Sequence, residues 1–193
     1  VYVYSSKSGK LLWSVDGQAG DQLGIGIEAA GDVNHDGIPD VVASAPGAGK
    51  AYVYSGKDGK LLITMTAEDR ADSFGRHVAG VGDVNRDGYA DVMVGAPDNN
   101  NHRGAAYVYS GRDGTLLLKL TGERDGDRFG AAVSGFSGKT GALLVVGAPR
   151  SGAGHRGRTY VYRSLDSRVA FTFDADESGQ ALGAMFLSVP GDV

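Results

Sequence analysis

Oxygen-bearing side chains recur at short, fixed intervals in the stretch GDVNHDGIPDVV, residues 31–42. Three of them are carboxylates, on Asp32, Asp36 and Asp40, and the fourth is the amide of Asn34. Such oxygens are hard donors, and Ca²⁺ takes about six to eight of them in a flexible shell. The spacing therefore predicts a cation-binding loop. The same pattern returns in GDVNRDGYADVM, with Asp83, Asn85, Asp87 and Asp91.

Each position in these stretches has a predicted role. Counted from Asp32, the first loop (residues 32–40) reads D-x-N-x-D-G-x-x-D, which resembles the start of an EF-hand loop. Gly37 permits the sharp turn, and the residue after it offers its backbone carbonyl. The Glu that closes an EF-hand is missing, because Ala43 stands there, so Asp40 is expected to bind with both oxygens. The predicted ligands are Asp32, Asn34, Asp36, Ile38 and Asp40 in the first loop, and Asp83, Asn85, Asp87, Tyr89 and Asp91 in the second loop (residues 83–91).

The metal predicted for these two sites is Ca²⁺. Mg²⁺ is less suitable, because it demands octahedral geometry and keeps several of its waters. The alternative is a turn without metal, since Asn and Asp followed by Gly commonly form turns. A third copy, GFSGKTGALLVV, has no acid at a ligand position and carries Lys139, which predicts a loop without metal. Asp192 begins a possible further site whose other ligands are not in this sequence.

The two loops belong to a repeat that runs along the whole chain. VYVYS at 1–5 returns as AYVYS at 51–55 and 106–110, and as TYVYR at 159–163. A period of roughly 50 residues fits one blade of four strands in a propeller. The predicted fold is therefore all-β: a β-propeller made of four-stranded antiparallel blades.

The phase of the repeat predicts one propeller segment over residues 1–193, with three complete blades. Because three blades fall below the four to eight of ordinary propellers, further blades are expected to close the ring, from the same parent chain or from a second chain. The predicted divisions are a partial blade at 1–20, complete blades at about 21–71, 72–126 and 127–179, and a partial blade at 180–193.

Composition and charge exclude several classes of function. The net charge is −4 and no basic patch stands out, so a nucleic-acid partner is not expected. No apolar run approaches the roughly 18 residues of a membrane span, so direct membrane insertion is not expected either. Cysteine is absent, which excludes a disulfide scaffold.

Carboxylates also cluster between the predicted blades. Two carboxylates at a defined separation can hydrolyse a glycoside. Acids that recur once per blade are more typical of turn and capping residues, and no G-x-S-x-G nucleophile motif is present, so an enzyme is not expected. The residues concerned are Glu68, Asp69, Asp72, Glu123, Asp125, Asp127, Asp174, Asp176 and Glu177.

The segment FGRHVAGVGDVNRDGYADVMVGAP, residues 74–97, resembles an FG-GAP repeat, the unit of the integrin α-subunit β-propeller and of bacterial surface proteins. Other copies read LG with SAP, FG with GAP, and a final LG at 182–183. The resemblance implies a propeller with Ca²⁺ in the D-x-N-x-D-G-x-x-D loops and an extracellular or cell-surface location. Ser-Gly-Lys-Asp-Gly-Lys turns and the lack of cysteine point to a bacterial protein.

The resemblance also implies that partners meet the loops on the face opposite the calcium loops, here 46–50, 97–104 and 149–157. The partner is then a protein or carbohydrate ligand. The leading hypothesis is an adhesion or protein-interaction module in which calcium is structural. The alternatives are a propeller portion, catalytic or not, of a larger secreted hydrolase or lyase, and a structural building block of a surface fibre.

Overall fold

A computed structural model describes residues 1–139, 141–176 and 181–184. In these residues, every strand pairs antiparallel with its neighbour in sequence, which gives three four-stranded sheets and one two-stranded sheet. The all-β prediction of four-stranded antiparallel blades is confirmed. Glu177 and Asp192 lie outside the described residues, and so does most of the predicted partial blade at 180–193. The exact blade divisions stay a prediction.

The sheets follow one another along the chain. The half blade consists of β1 (Tyr2–Tyr4) and β2 (Leu11–Ser14). Blade one consists of β3 (Ile27–Gly31), β4 (Asp40–Ala45), β5 (Lys50–Tyr54) and β6 (Leu61–Thr66). Blade two consists of β7 (Val78–Gly82), β8 (Asp91–Ala96), β9 (Ala105–Tyr109) and β10 (Leu116–Thr121). Blade three consists of β11 (Ala132–Gly138), β12 (Gly141–Ala148), β13 (Arg158–Arg163) and β14 (Val169–Asp174).

Short helical turns occur only in connections within the described ranges. Three are 3₁₀ turns and one is a single irregular α turn; they lie at Pro46–Ala48, Arg70–Asp72, Ala153–His155 and Asn99–His102. No helix among the described residues is long and apolar enough to cross a membrane.

The second strands of blades one and two are deeply buried. Every residue of β8 is buried, and Val92, Met93 and Val94 have no exposed surface. A strand covered on both faces reads as a continuous apolar run rather than an alternating one, which is why DVMVGA shows no period of two.

The hydrophobic cores lie between blades. Phe74, Tyr107 and Tyr109 of blade two pack with Val53 and Met65 of blade one in a single cluster. Blade three repeats the arrangement, with Phe129, Tyr160 and Tyr162 against residues of blade two that include Met93 and Leu120. Blades two and three thus present an aromatic face to the blade before them, and blades one and two present an aliphatic face to the blade after them.

The starts of the first strands converge on one cleft of about 190 Å³. Corresponding residues of four successive repeats line it, namely Ile25, Arg76, Ala131 and Ala184. This convergence fits blades arranged around a common axis.

Candidate cation loops

Each predicted loop joins the first strand of its blade to the second strand of the same blade, and the two blades are neighbours. Asp32 follows the last residue of β3 and Asp40 begins β4. Asp83 follows β7 and Asp91 begins β8. A break in strand register precedes each loop, between Ala29 and Gly31 in blade one and at the corresponding place in blade two. The loops therefore occupy the same end of adjacent blades.

The side-chain oxygens of the first loop turn inward. The Asp36 N–H donates to Oδ1 of Asp32 and to Oδ1 of Asn34, both at 3.0 Å. The Gly37 N–H donates to the other oxygen of Asp32 at 2.9 Å, and the Ile38 N–H donates to Asp36 Oδ1 at 2.9 Å. Gly37 adopts φ +83°, a left-handed conformation in which glycine has no steric cost.

The second loop repeats these hydrogen bonds one for one. The Asp87 N–H donates to Asp83 Oδ1 and Asn85 Oδ1, both at 3.0 Å. The Gly88 N–H donates to Asp83 at 2.9 Å, and the Tyr89 N–H donates to Asp87 at 3.0 Å. Two stretches that differ at several intervening residues thus fold to the same arrangement of three oxygen-bearing side chains.

The last aspartate of each loop is buried and holds the backbone together. One oxygen of Asp40 accepts the N–H groups of Val33 and Asn34 at 2.8 and 3.2 Å, and the other accepts that of Gly56 at 2.9 Å. Asp91 accepts from Val84 and Gly111 at 2.9 and 3.0 Å. These carboxylates tie the loop to the hairpin between the third and fourth strands of the blade.

Burial raises the pKa of both carboxyls, and the backbone N–H donors partly oppose that rise. A carboxylate offers about four acceptor directions, and Asp40 already uses three of them for N–H groups. Its binding of an ion through both oxygens stays a prediction.

The donor set suits a hard cation, because every proposed ligand is an oxygen and each loop carries three carboxylates. Within the described residues, no three His, Cys, Asp or Glu side chains lie together as a ready-made metal cluster. In the first loop, one of the four oxygen-bearing side chains is the amide of Asn34, which is not one of these four residue types. Asp40 is directed to backbone N–H groups rather than toward the other carboxylates. The carbonyl roles of Ile38 and Tyr89 stay predictions.

The third copy forms a tight hairpin in place of an open loop. Strands β11 and β12 pair continuously from Ala132 opposite Gly147 to Gly138 opposite Gly141. Lys139 lies exposed at the tip. Loss of the acids therefore accompanies longer first and second strands.

Three contacts between blades were not predicted from the spacing of the acids. The Ala90 N–H donates to the Asp32 carbonyl at 3.2 Å, and His35 Nδ1 lies 3.1 Å from the Gly88 carbonyl. The Ser137 hydroxyl donates to the Asp83 carbonyl at 2.6 Å. These contacts join residues more than 50 positions apart, and no local pattern marks them.

Comparison with known proteins agrees with the repeat structure. A family model described as an FG-GAP-like repeat matches residues 32–94, which contain both loops. The chain belongs to the FG-GAP repeat family. It is 30% identical to integrin alpha-4 of Xenopus laevis over 158 residues, covering 76% of this chain and 15% of that protein.

Two further relatives are mammalian. Integrin alpha-11 of Mus musculus is 34% identical over 134 residues, which cover 62% of this chain and 11% of that protein. Integrin alpha-2 of Bos taurus is 31% identical over 137 residues, which cover 63% of this chain and 12% of that protein. The FG-GAP chain thus spans a small part of these relatives, at most 15% of integrin alpha-4. The predicted resemblance is confirmed, while a bacterial source stays a prediction.

The opposite end of the FG-GAP blades is shaped by the acids that lie between them. Asp69 accepts the Ala71 N–H, and together with Asp72 it forms a capping box around the turn Arg70–Asp72. Asp127 accepts the Arg124 N–H at 3.0 Å in the next repeat. The prediction that these acids serve turns and caps is confirmed for these three residues.

The three candidate partner loops lie at this same end, after the second strand of each blade. Cations in or next to these loops meet acids: Arg103 binds Asp125 at 2.8 Å, and Arg158, at the start of β13, binds Asp174 through two nitrogens and lies 3.5 Å from Glu123 of the preceding blade. Asp98 accepts from Ser73 and lies 2.8 Å from His102 Nδ1. This face is therefore a mixed surface of paired charges rather than a basic patch.

Proposed function

We propose that this chain is the calcium-stabilised part of an extracellular β-propeller that acts as an adhesion or protein-interaction module. The FG-GAP repeats and the integrin relatives support an interaction module built on propeller blades. The observation that carries the calcium proposal is the pair of loops with the same inward hydrogen bonds on the same acids.

In this proposal, the ligands are those predicted from the sequence in each loop. Three carboxylates within nine residues repel one another, and bound Ca²⁺ would supply the charge that offsets this repulsion. The side chains of Asp32 and Asp36 lie between the end of β3 and the start of β4, so ordering them fastens the two strands together. Calcium is structural in this role. Loops with few protein ligands suit the millimolar Ca²⁺ outside cells, which supports the extracellular location.

The partner is proposed to be a protein or carbohydrate ligand that meets the loops 46–50, 97–104 and 149–157. Arg103 of loop 97–104 and its partner Asp125 are paired but exposed, so they provide hydrogen-bonding groups for a polar partner. A glycoside hydrolase would need two free carboxylates. Asp69 and Asp127, two of the acids between the blades, instead accept backbone N–H groups at turns. This engagement supports a non-enzymatic module.

Further blades are proposed to cover the two end faces. Tyr2 and Tyr4 are 61% and 58% exposed, whereas the corresponding Tyr107 and Tyr109 are 2% and 8% exposed. At the other end, Phe171 and Phe173 are exposed, whereas their counterparts in blade one, Ile63 and Met65, are buried. These faces hold the positions that meet a neighbouring blade at the inner interfaces, so the fitting occupant is another FG-GAP blade.

The calcium proposal is tested by titrating Ca²⁺ into the metal-free chain in an isothermal calorimeter, and by comparing melting temperatures in calcium and in chelator. We expect two ions per chain and a higher melting temperature in calcium. Asp36→Ala and Asp87→Ala are each expected to remove one ion. Lys139→Ala, at the tip of the third copy, is the matched control and should leave both ions bound. No calcium uptake at millimolar concentration would contradict the proposal.

A further inference from the structure

The two cation loops touch each other directly. The Ala90 N–H of the second loop donates to the backbone carbonyl of Asp32 in the first loop at 3.2 Å. His35 of the first loop places Nδ1 at 3.1 Å from the Gly88 carbonyl of the second. A carbonyl oxygen only accepts, so His35 donates this bond from Nδ1. The rings of His35 and Tyr89 also lie 5.7 Å apart.

These contacts involve two of the proposed ligands, Asp32 and Tyr89, and residues directly beside other ligands. Asp32 supplies both the carbonyl in the contact and a carboxylate of the first loop. Tyr89 is the proposed carbonyl ligand of the second loop, and Gly88 directly precedes it. A shift of either loop backbone is therefore passed to its neighbour through two hydrogen bonds.

The close approach depends on small residues at the junction. A Cβ at Gly31 would lie 2.6 Å from the Cβ of Ala90, too short for any real contact. Gly82 stands at the corresponding place of the next junction, where a Cβ would lie 2.8 Å from the Cβ of Ser137. Glycine at these two positions lets each loop rest on the following blade.

The second loop is held from its far side by a strand rather than by another cation loop. Ser137 lies on β11 and donates its hydroxyl to the Asp83 carbonyl, the counterpart of the Asp32 carbonyl. The paired strands β11 and β12 form without acids. The anchor of the second loop is thus independent of metal, whereas the anchor of the first loop is the second loop itself.

We propose that the two loops bind Ca²⁺ cooperatively, and that His35 and Ala90 are the positioning residues that couple them. This inference rests on the proposed calcium function. Ca²⁺ in the second loop orders the Ala90 N–H that holds Asp32 and the Gly88 carbonyl that holds His35, so the first loop then loses less conformational entropy when it binds its own ion. Coupling between two sites is reciprocal, so each ion strengthens the other by the same factor.

The coupling factor is measured on the 193-residue chain by calcium calorimetry with one loop disabled at a time. Asp83→Asn with Asp87→Asn disables the second loop, and Asp32→Asn with Asp36→Asn disables the first. We expect each remaining loop to bind at least about fivefold more weakly than it does in the intact chain. The factor should be equal in both directions within error.

Two variants remove the coupling contacts. Ala90→Pro deletes the N–H donor, and Pro39 already occupies the corresponding position of the first loop, so the loop backbone accepts proline there. His35→Ala deletes the second contact. In both variants the coupling factor should fall toward one, while the affinity of each loop with its partner disabled stays unchanged. Arg86→Ala is the matched control, because Arg86 holds the same position of the second loop with a similar φ of 64° against 60°.

The outcomes separate the two proposals. If neither loop takes up calcium, the proposed function is overturned. If both loops bind and disabling one leaves the affinity of the other unchanged, the coupling is overturned and the calcium function stands. If Ala90→Pro does not fold by circular dichroism, His35→Ala decides alone, and an undiminished coupling factor in His35→Ala overturns its positioning role.

Discussion

The aspartates of each loop divide into two kinds according to what their oxygens hold. Asp87 accepts the Tyr89 N–H within the loop, whereas Asp91 is fully buried and accepts N–H groups from Val84 and from Gly111 of a different hairpin. Asp91 therefore stabilises the blade whether or not an ion is bound. Among the described residues, Asp87 accepts hydrogen bonds only from its own loop, from the Tyr89 N–H and the Asn85 amide.

The first prediction separates these roles in chelator, where no calcium contributes. Asp91→Ala leaves two buried N–H groups without an acceptor and should lower the free energy of unfolding by about 2–4 kcal/mol. Asp87→Ala should cost less than about 1.5 kcal/mol under the same conditions. Urea unfolding followed by tryptophan fluorescence measures both. Equal losses of unfolding free energy in the two variants would show that Asp91 has no structural role beyond that of Asp87.

The second prediction concerns alkaline pH. Burial raises the pKa of Tyr109 to about 12, while a tyrosine in the unfolded chain titrates near 10. The contribution of this residue is therefore complete below pH 10 and is lost as the pH rises toward 12. We expect the free energy of unfolding to fall over this range, with roughly 2 kcal/mol of the fall due to Tyr109.

The matched variant for this prediction is Tyr109→Phe, which keeps the ring and removes the phenol. Its stability should fall less steeply between pH 10 and 12 in urea unfolding at several pH values. Burial also raises the pKa of Tyr107 and Tyr162, so part of the slope should persist. An unchanged slope in Tyr109→Phe would show that its phenol does not titrate differently in the folded state.

Residue spacing predicted the inward oxygens of Asp32, Asn34 and Asp36, because alternate positions in a tight loop place their side chains on one side. It did not predict that Asp40 serves backbone donors, since the Gly56 N–H comes from a hairpin sixteen residues away. The His35 and Ala90 contacts could not be predicted from the sequence either, because they depend on how blades one and two pack together.

At the scale of elements, the FG and GAP motifs mark places where backbones of neighbouring blades meet. The Gly75 N–H donates to the Gly95 carbonyl within blade two at 2.9 Å. A Cβ on Gly95 would lie 2.0 Å from the Gly130 carbonyl of blade three, and one on Gly147 would lie 2.2 Å from that of Gly183. At the first junction Ser44 takes this position, where a Cβ on Gly75 would lie 2.8 Å from the serine Cβ.

The repeats made the strands themselves predictable, since four short segments recur about every 50 residues. The alternation in AYVYS also placed the tyrosines on one face. Which neighbour that face meets could not be read from one blade, because both faces of a propeller blade are buried. The clusters that join Tyr107 to Met65 settle the direction.

The third prediction tests the contact between blades. Gly95→Ala forces a methyl group against a backbone carbonyl and should lower the free energy of unfolding by about 3 kcal/mol. Gly126→Ala is the control, because Gly126 has φ +87° and nothing within 4 Å of a built Cβ, so only backbone strain of about 1–2 kcal/mol applies. Urea unfolding measures both. A milder effect at Gly95 than at Gly126 would contradict the close approach.

At the scale of the whole molecule, the FG-GAP chain has two exposed apolar end faces, which correspond to the two sides of the inner interfaces between blades. Phe173 is 56% exposed, whereas Met65 and Leu120, its counterparts in blades one and two, are 1% and 3% exposed. Phe171 and Phe173 pack edge to face with ring centroids 5.6 Å apart, so they form one apolar surface. Tyr2 and Tyr4 are exposed at the other end, whereas their counterparts Tyr107 and Tyr109 are buried against blade one.

The fourth prediction follows from this correspondence. Two copies of the chain that meet head to tail would repeat the part of the interface between blades one and two that β9 and β10 provide, with β1 and β2 in their place, so the chain should self-associate as its concentration rises. Phe173→Glu places a charge in that interface and should shift sedimentation equilibrium toward the monomer. Leu116→Glu is the control, because Leu116 is exposed on blade two away from both end faces. A monomer at every concentration, or equal effects of the two substitutions, would contradict head-to-tail docking. In that case the end faces require blades that differ from those of this chain. Because self-complementary ends can extend without limit, the same measurement also decides whether the chain is suited to building a fibre.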